Sequence, residues 1–148
     1  MEFELKKETL RFYEFSTVSS AVHEESTETI VPDYCPDIAR IIDASGKVFL
    51  RSKDIQGDKA IVTGSVKVTV LFTPEGENGI RNLEFALPFN TSVVNQEFDR
   101  CQCLFAKVCV QSIETRSMNP RKIFTRVLLT VQLRGLHHAE AAFCSHIA

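Results

Sequence analysis

Residues 60–72, AIVTGSVKVTVLF, decide the fold class of this chain. One face of this stretch carries Val62, Val66, Val68, Val70 and Phe72 with Gly64 in register, and the other carries Ser65, Lys67 and Thr69. A two-residue repeat places successive side chains on opposite faces of a strand, and β-branched residues favour strands. The stretch therefore predicts a β-strand with one face in the core and the other toward solvent.

Two later stretches repeat this pattern, NLEFALPF at 82–89 and KIFTRVLLTVQLRG at 122–135. Their aligned apolar residues are Leu83, Phe85, Leu87 and Phe89 in the first, and Ile123, Val127, Leu129, Val131 and Leu133 in the second. Further strands are expected at 47–54 and 103–116, with turns at Gln56-Gly57-Asp58, TPEGENGI and Asn119-Pro120 between the runs. Short strands joined by such turns predict an all-β fold, an antiparallel β-sandwich or barrel-like domain.

The bulk composition fits one folded domain. The chain has 148 residues, of which 44% are hydrophobic and 24% are charged, with a formal net charge of −2. This charge offers no electrostatic attraction for nucleic acid or an acidic membrane. No apolar run approaches the roughly 20 residues of a membrane span, and the N-terminal stretch lacks the apolar core of a secretory signal.

The stretch VPDYCPDIARII, residues 31–42, places two Pro-Asp pairs before an isoleucine-rich run. Proline restricts its own φ and the residue before it, so the run is expected to follow an extended segment. One short helical turn is predicted near residues 37–43, capped by Asp33 or Asp37. The predicted core signature is Pro32, Asp33, Pro36, Asp37, Ile38, Ile41 and Ile42, with the three isoleucines facing the core. Tyr34 is either a recognition aromatic or a plug beneath the loop, and the nearby apolar runs favour the plug.

The cysteines are Cys35, Cys101, Cys103, Cys109 and Cys144, an odd number. In an oxidising setting one of them must stay free or pair with another chain. Cys144 is the first candidate for an intersubunit disulfide, and Cys35, in a loop, is the second. Cys101 and Cys103 are further candidates whose role the sequence leaves undecided. A bond between Cys101 and Cys103 is disfavoured, since strand residues i and i+2 lie about 6.5–7 Å apart at Cα. Cys103 and Cys109 share a strand face, and Cys109 is expected to pack as a small apolar residue.

Chemistry-bearing motifs are weak. The cysteine spacing departs from the paired C-x2-4-C arrangement of structural zinc sites, and nothing fixes His137, His138 or His146 near the cysteines. The glycines are scattered among turns, and no motif joins a cysteine to a base and an orienting group. The sequence therefore predicts a protein that is not an enzyme and that needs neither a cofactor nor a metal.

The two ends of the chain are harder to interpret than its middle. Residues 1–24 are expected to form an N-terminal arm or edge strands, and residues 137–148 a C-terminal tail, around a β domain at 25–136. LHHAEAAF, residues 136–143, is the other candidate for a short helix. An edge strand offers unpaired backbone groups, so the arm could pair with another subunit.

The ordered combination of these stretches resembles the SPOCS domain family. The resemblance rests on the Val-Pro-Asp start, Pro-Asp-Ile before the isoleucines, GKVFLRSKDI, DKAIVTGSVKVTVLF, LEFALPF and NPRKIFTRVLLTVQLR, and it covers roughly residues 25–135. It implies a clostridial-type spore former, and a protein made in the mother-cell cytoplasm and deposited on the spore surface or coat. Morphogenetic members also carry a LysM domain, for which this sequence has no room, so a stand-alone SPOCS domain is expected.

Two functions follow as expectations from the resemblance and from the residues. The first is a structural protein of the spore envelope that self-assembles into a homo-oligomer or filament by strand addition and intersubunit disulfides. The second is a binding module for another coat protein or a cell-wall glycan, although tryptophan is absent and Tyr13 and Tyr34 are the only tyrosines. Neither function involves nucleic acid or a membrane span.

Overall fold

The chain folds into six β-strands and one short 3-10 helix. This computed structural model describes the backbone of residues 5–147 and the side chains of residue 14 and residues 18–137. The elements are β1 (Leu5–Ile30), β2 (Ile38–Gln56), β3 (Lys59–Pro74), β4 (Arg81–Val94), the 3-10 helix (Gln96–Arg100), β5 (Cys103–Asn119) and β6 (Lys122–Ile147). The predicted all-β class is confirmed, and each predicted strand overlaps an observed one.

The strands form two three-stranded sheets with the orders β1-β6-β5 and β2-β3-β4, and every neighbouring pair is antiparallel. The central strands, β3 and β6, are those with the clearest alternation in the sequence. Their inward residues are fully buried: Val62, Val66, Val68, Val70 and Phe72 from β3, and Ile123, Val127, Leu129, Val131 and Leu133 from β6. A central strand has neighbours on both sides, so its inward face is wholly covered and selects mainly apolar residues, with the buried Thr125 as the polar member of the row in β6.

The predicted hairpin turns are short. Gln56 pairs with Lys59, which leaves Gly57-Asp58 as a two-residue loop, and Gly57 has a φ of 62°. A positive φ at the first loop position matches the right-handed twist of the flanking strands, and glycine adopts it without a steric penalty. Asn119 pairs with Lys122 across the second tight turn, Pro120-Arg121.

The helical turn predicted near residues 37–43 is wrong, because β2 begins at Ile38. The ladder between β2 and β3 has register shifts at Ile38/Arg40 and at Ile41/Asp43. Each shift adds one residue to β2, so apolar residues three apart return to the same face and imitate the spacing of a helix. Ile38 is 3% exposed and Ile41 packs on the core, whereas Ile42 is 45% exposed and does not face it. LHHAEAAF is also strand, within β6.

The two sheets approach each other most closely along β2 and β5. A Cβ atom on Gly46 would lie 2.6 Å from Ile113 Cδ1 on β5 and 2.9 Å from Val66 Cγ1 on β3. A side chain at this position would therefore force the Ile113 and Val66 side chains to shift. Gly46 therefore allows the edges of the two sheets to meet on this side of the core.

The 3-10 helix closes the core at the end opposite to the loop at 31–37. Asn95 caps this helix, since its Oδ1 accepts a hydrogen bond from the Glu97 backbone N–H at 3.1 Å. The Asn95 amide also donates to Ser19 Oγ at 3.0 Å, which ties the helix to β1. Phe98 is fully buried. This element was not predicted from the sequence.

Candidate functional site

The loop of residues 31–37 connects β1 to β2 and therefore connects the two sheets. Val31 is 1% exposed and Cys35 is 7% exposed, so both ends of the loop are anchored in the core. The Cys35 N–H donates to the Pro32 carbonyl at 2.9 Å and closes a turn. Pro32, Pro36 and Asp37 are half-buried, and Asp33 is exposed.

Arg121, in the turn between β5 and β6, holds this loop in place. Its Nη1 donates to the Cys35 carbonyl at 2.6 Å, and its Nη2 donates to the carbonyls of Val31 at 3.1 Å and Pro32 at 2.8 Å. Nη1 also pairs with Asp37 Oδ1 at 3.1 Å. The rigid fork of a guanidinium suits this arrangement, because it presents several donors in one plane.

Backbone hydrogen bonds reinforce the same junction. The Val31 N–H donates to the Arg121 carbonyl at 2.8 Å, and the Ile38 N–H donates to the Pro120 carbonyl at 2.9 Å. The Asn119 side chain accepts from the Arg121 N–H at 2.8 Å and so shapes the turn itself. The loop and the turn thus form one rigid unit, which we call the Arg121 clamp (residues 31–37 and 119–121).

The clamp presents Tyr34 to solvent. Tyr34 is 83% exposed, so the interpretation of Tyr34 as a plug beneath the loop is wrong. Ile30, at the end of β1 just before the loop, is 73% exposed. An exposed aromatic on a preorganised loop is a feature of protein-binding surfaces, because little side-chain freedom is lost on binding.

The second notable feature is a two-stranded ribbon that extends beyond the two sheets. The last pair between β5 and β6 is Cys103 with Leu136, and the Gln102 N–H donates to the Leu136 carbonyl at 2.8 Å. From there to Ile147, β6 pairs with β1 alone, as far as Leu5. The regions expected as an N-terminal arm and a C-terminal tail therefore pair with each other, and we call residues 5–15 and 136–147 the ribbon.

At the base of the ribbon, His137 Nε2 lies 3.0 Å from Glu14 Oε1. The ladder shifts register here, between Phe15 and Thr17. Beyond this point β6 has no second neighbouring strand within residues 5–147. Residues 137–147 span roughly 35 Å of strand, whose outer backbone groups face away from β1.

The structure separates the five cysteines. Cys35 is buried in the core, and Cys101 is half-buried with its Sγ donating to the Glu97 carbonyl at 3.4 Å. Cys103 and Cys109 share one face of β5, but this face points outward and both are exposed. Cys109 therefore does not pack as a core residue. Cys35, Cys103 and Cys109 are free thiols, whereas Cys144 lies opposite Lys7 in the ladder and its side chain is outside the described part of the chain.

The described residues contain no group of three or more His, Cys, Asp or Glu side chains arranged to hold a metal ion. None of their helices has the length and hydrophobicity needed to cross a membrane.

Comparison with known proteins gives one finding. The family model described as SipL, SPOCS domain, matches residues 37–117, which is more than half of the chain. No curated protein and no solved structure matches. The matched segment begins in the loop held by Arg121 and ends just before the turn that carries this arginine. The chain therefore belongs to the SPOCS domain family, and this membership implies a role in sporulation.

Proposed function

We propose that this protein is a non-enzymatic structural component of the bacterial spore envelope that assembles with copies of itself by β-strand addition along the ribbon. The observation that carries the proposal is the open edge of β6 at residues 137–147. Unpaired N–H and C=O groups of an edge strand bind another strand through main-chain hydrogen bonds.

The energetics of the ribbon support the same conclusion. An isolated two-stranded ribbon is marginally stable in water, because it buries little surface and leaves half of its backbone groups to the solvent. A third strand from another subunit would supply a second ladder to β6 and satisfy the backbone groups of its open edge. The free energy of assembly would thus stabilise a segment whose ladder has only two strands within residues 5–147.

Disulfides are a second element of the proposal. Cys103 and Cys109 are exposed on the outer face of β5, and Cys144 lies in the ribbon. These three thiols are the candidates for linking subunits after lysis of the mother cell exposes the coat to oxidants. Cys35 is now a poor candidate, because another chain cannot reach a thiol that is 7% exposed.

The first test is to measure the mass of the full chain by size exclusion with light scattering over a range of concentrations, with and without reductant. Self-assembly predicts a mass above 16.7 kDa that rises with concentration. If disulfides only link subunits that have already assembled, the reduced protein also has a mass above that of one chain. A mass of one chain at every concentration and in both redox states would refute the proposal.

The alternative function, a binding module for another coat protein, is favoured by the exposure of Tyr34 on the Arg121 clamp. In a sporulating host, this alternative predicts that Tyr34→Ala removes a fluorescent fusion from the spore surface without changing its oligomeric state. Retention of the variant at the spore surface would count against it. Deposition from the mother-cell cytoplasm onto the spore is part of both proposals.

A further inference from the structure

The two outer edges of the ribbon differ in charge. Residues 5–14 of β1, LKKETLRFYE, carry Lys6, Lys7, Glu8, Arg11 and Glu14, whereas residues 138–147 of β6, HAEAAFCSHI, carry Glu140 as their only Asp, Glu, Lys or Arg. Neither stretch contains proline or glycine. Charged side chains on an edge strand oppose pairing with another chain, and an edge without charge or proline accepts it. The edge of β1 is thus protected and that of β6 is open.

From this asymmetry we infer that two copies of the chain pair β6 to β6, antiparallel, across a two-fold axis. The result is one continuous sheet in the order β1-β6-β6-β1, with the charged β1 edges on the outside. The inference rests on the proposed function and narrows it, because an isologous contact of this kind closes on itself as a dimer, whereas β1-to-β6 contacts would build filaments.

The ladder restricts the register of this pairing. Ser145 has no partner opposite it on β1, since Lys6 pairs with His146 and Lys7 with Cys144, so the regular edge of β6 ends at Cys144. A two-fold axis perpendicular to the sheet keeps a given side chain on the same face in both copies. Residues opposite each other across the axis must therefore be separated by an even number of positions. This condition allows only registers in which one residue lies opposite its own copy. An axis at Glu140 would set two carboxylates opposite each other.

An axis at Ala141 avoids this repulsion and keeps the regular edge. Residues 138–144 of one copy then lie opposite residues 144–138 of the other. Glu140 faces Ala142 of the second copy, and Cys144 faces His138. This register places the two Ala141 Cα atoms about 4.5–5.5 Å apart, within the range that a disulfide spans.

Cysteine cross-linking of the full chain tests the inference. The background replaces the exposed Cys103 and Cys109, together with Cys144, by serine, and it keeps the buried Cys35 and the half-buried Cys101. Ala141→Cys is then compared with Leu10→Cys, because Leu10 lies opposite Ala141 on β1. Under mild oxidation we expect a covalent dimer with Ala141→Cys and a non-covalent one with Leu10→Cys.

A second pair of variants needs no cysteine replacement. Ala141→Lys sets two ammonium groups opposite each other at the axis and is expected to weaken self-association by about tenfold or more. Thr9→Lys, which adds the same charge to the edge of β1, is expected to leave self-association unchanged.

The outcomes separate the two proposals. Cross-linking through Leu10→Cys, filaments in place of dimers, or assembly insensitive to Ala141→Lys would overturn β6-to-β6 pairing and leave self-assembly intact. A protein that remains a single chain in every variant and at every concentration would overturn both.

Discussion

Replacing Arg121 tests whether one side chain holds the junction between the two sheets. Its guanidinium donates to three carbonyls of the loop, those of Val31, Pro32 and Cys35. A hydrogen bond to a charged donor contributes about 1.5–3 kcal/mol to stability, and removal of the donor leaves the acceptors without a partner. The side chain of Arg121 is 35% exposed, so water reaches part of the junction and lowers each contribution. We therefore expect Arg121→Ala to reduce the free energy of unfolding by about 3 kcal/mol.

The matched control is Arg126→Ala. Arg126 lies in β6, five residues after Arg121, but it contacts the exposed carboxylates of Glu114 at 2.9 Å and Glu24 at 3.8 Å instead of backbone carbonyls. Exposed ion pairs of this kind contribute about 0–1 kcal/mol. Arg121→Lys should fall between the two alanine variants, because one ammonium cannot reproduce the donors of the guanidinium fork.

Urea unfolding followed by circular dichroism, at a fixed chain concentration and with reductant, measures these differences. With a slope of about 2 kcal/mol per molar urea, a loss of 3 kcal/mol lowers the midpoint by about 1.5 M. If Arg121→Ala shifts the midpoint no further than Arg126→Ala, the clamp does not stabilise the junction and this reasoning is refuted.

Three further predictions concern stability and use the same assay. Gly46→Ala should destabilise the protein by about 1–2 kcal/mol, because the added methyl group crowds Ile113 and Val66; an increase in stability would show that β2 and β5 have room to separate. Phe98→Ala should cost about 3–5 kcal/mol, since it empties a fully buried site under the 3-10 helix, and a loss below about 1 kcal/mol would contradict the role of Phe98 as a core residue. Tyr34→Ala should change stability by less than about 0.5 kcal/mol, because the side chain is 83% exposed, and a larger loss would mean that Tyr34 supports its loop.

The predictability of each strand from the sequence depended on where it lies in its sheet. β3 and β6 are central, and their inward faces are rows of mainly apolar residues. β1 is an edge strand whose inward positions include His23 and Glu25. Both side chains are only half-buried, and His23 Nε2 lies 2.8 Å from Glu25 Oε1. Because that edge is open to water, polar residues are tolerated there and the two-residue pattern of hydrophobicity disappears. The bulges of β2 had the opposite effect, since they created a helical pattern where none exists.

The Arg121 clamp was beyond sequence reasoning for a different reason. Arg121 is separated by 84 to 90 positions from the residues whose oxygens it contacts. Nothing about an arginine after Asn-Pro indicates that its side chain will reach the carbonyls of the loop between β1 and β2. With that contact unknown, the loop offered no reason to place Tyr34 outside, and burial was the natural expectation for an aromatic between apolar runs.

The extent of the family match bears on the function of the segments outside it. Residues 37–117 supply all of β2, β3 and β4 and nearly all of β5, but neither β1 nor β6. Without β6, the strand β5 would have no partner in its sheet. The core would also lose the fully buried residues that β6 supplies and would be uncovered on that side. The segment 122–136 is therefore required for folding. Beyond Leu136, the strand β6 pairs with β1 alone within residues 5–147. The proposed function places a strand from a second copy at this open edge of β6, whereas Arg121 acts within one chain, so assembly and stability are expected to respond to different substitutions.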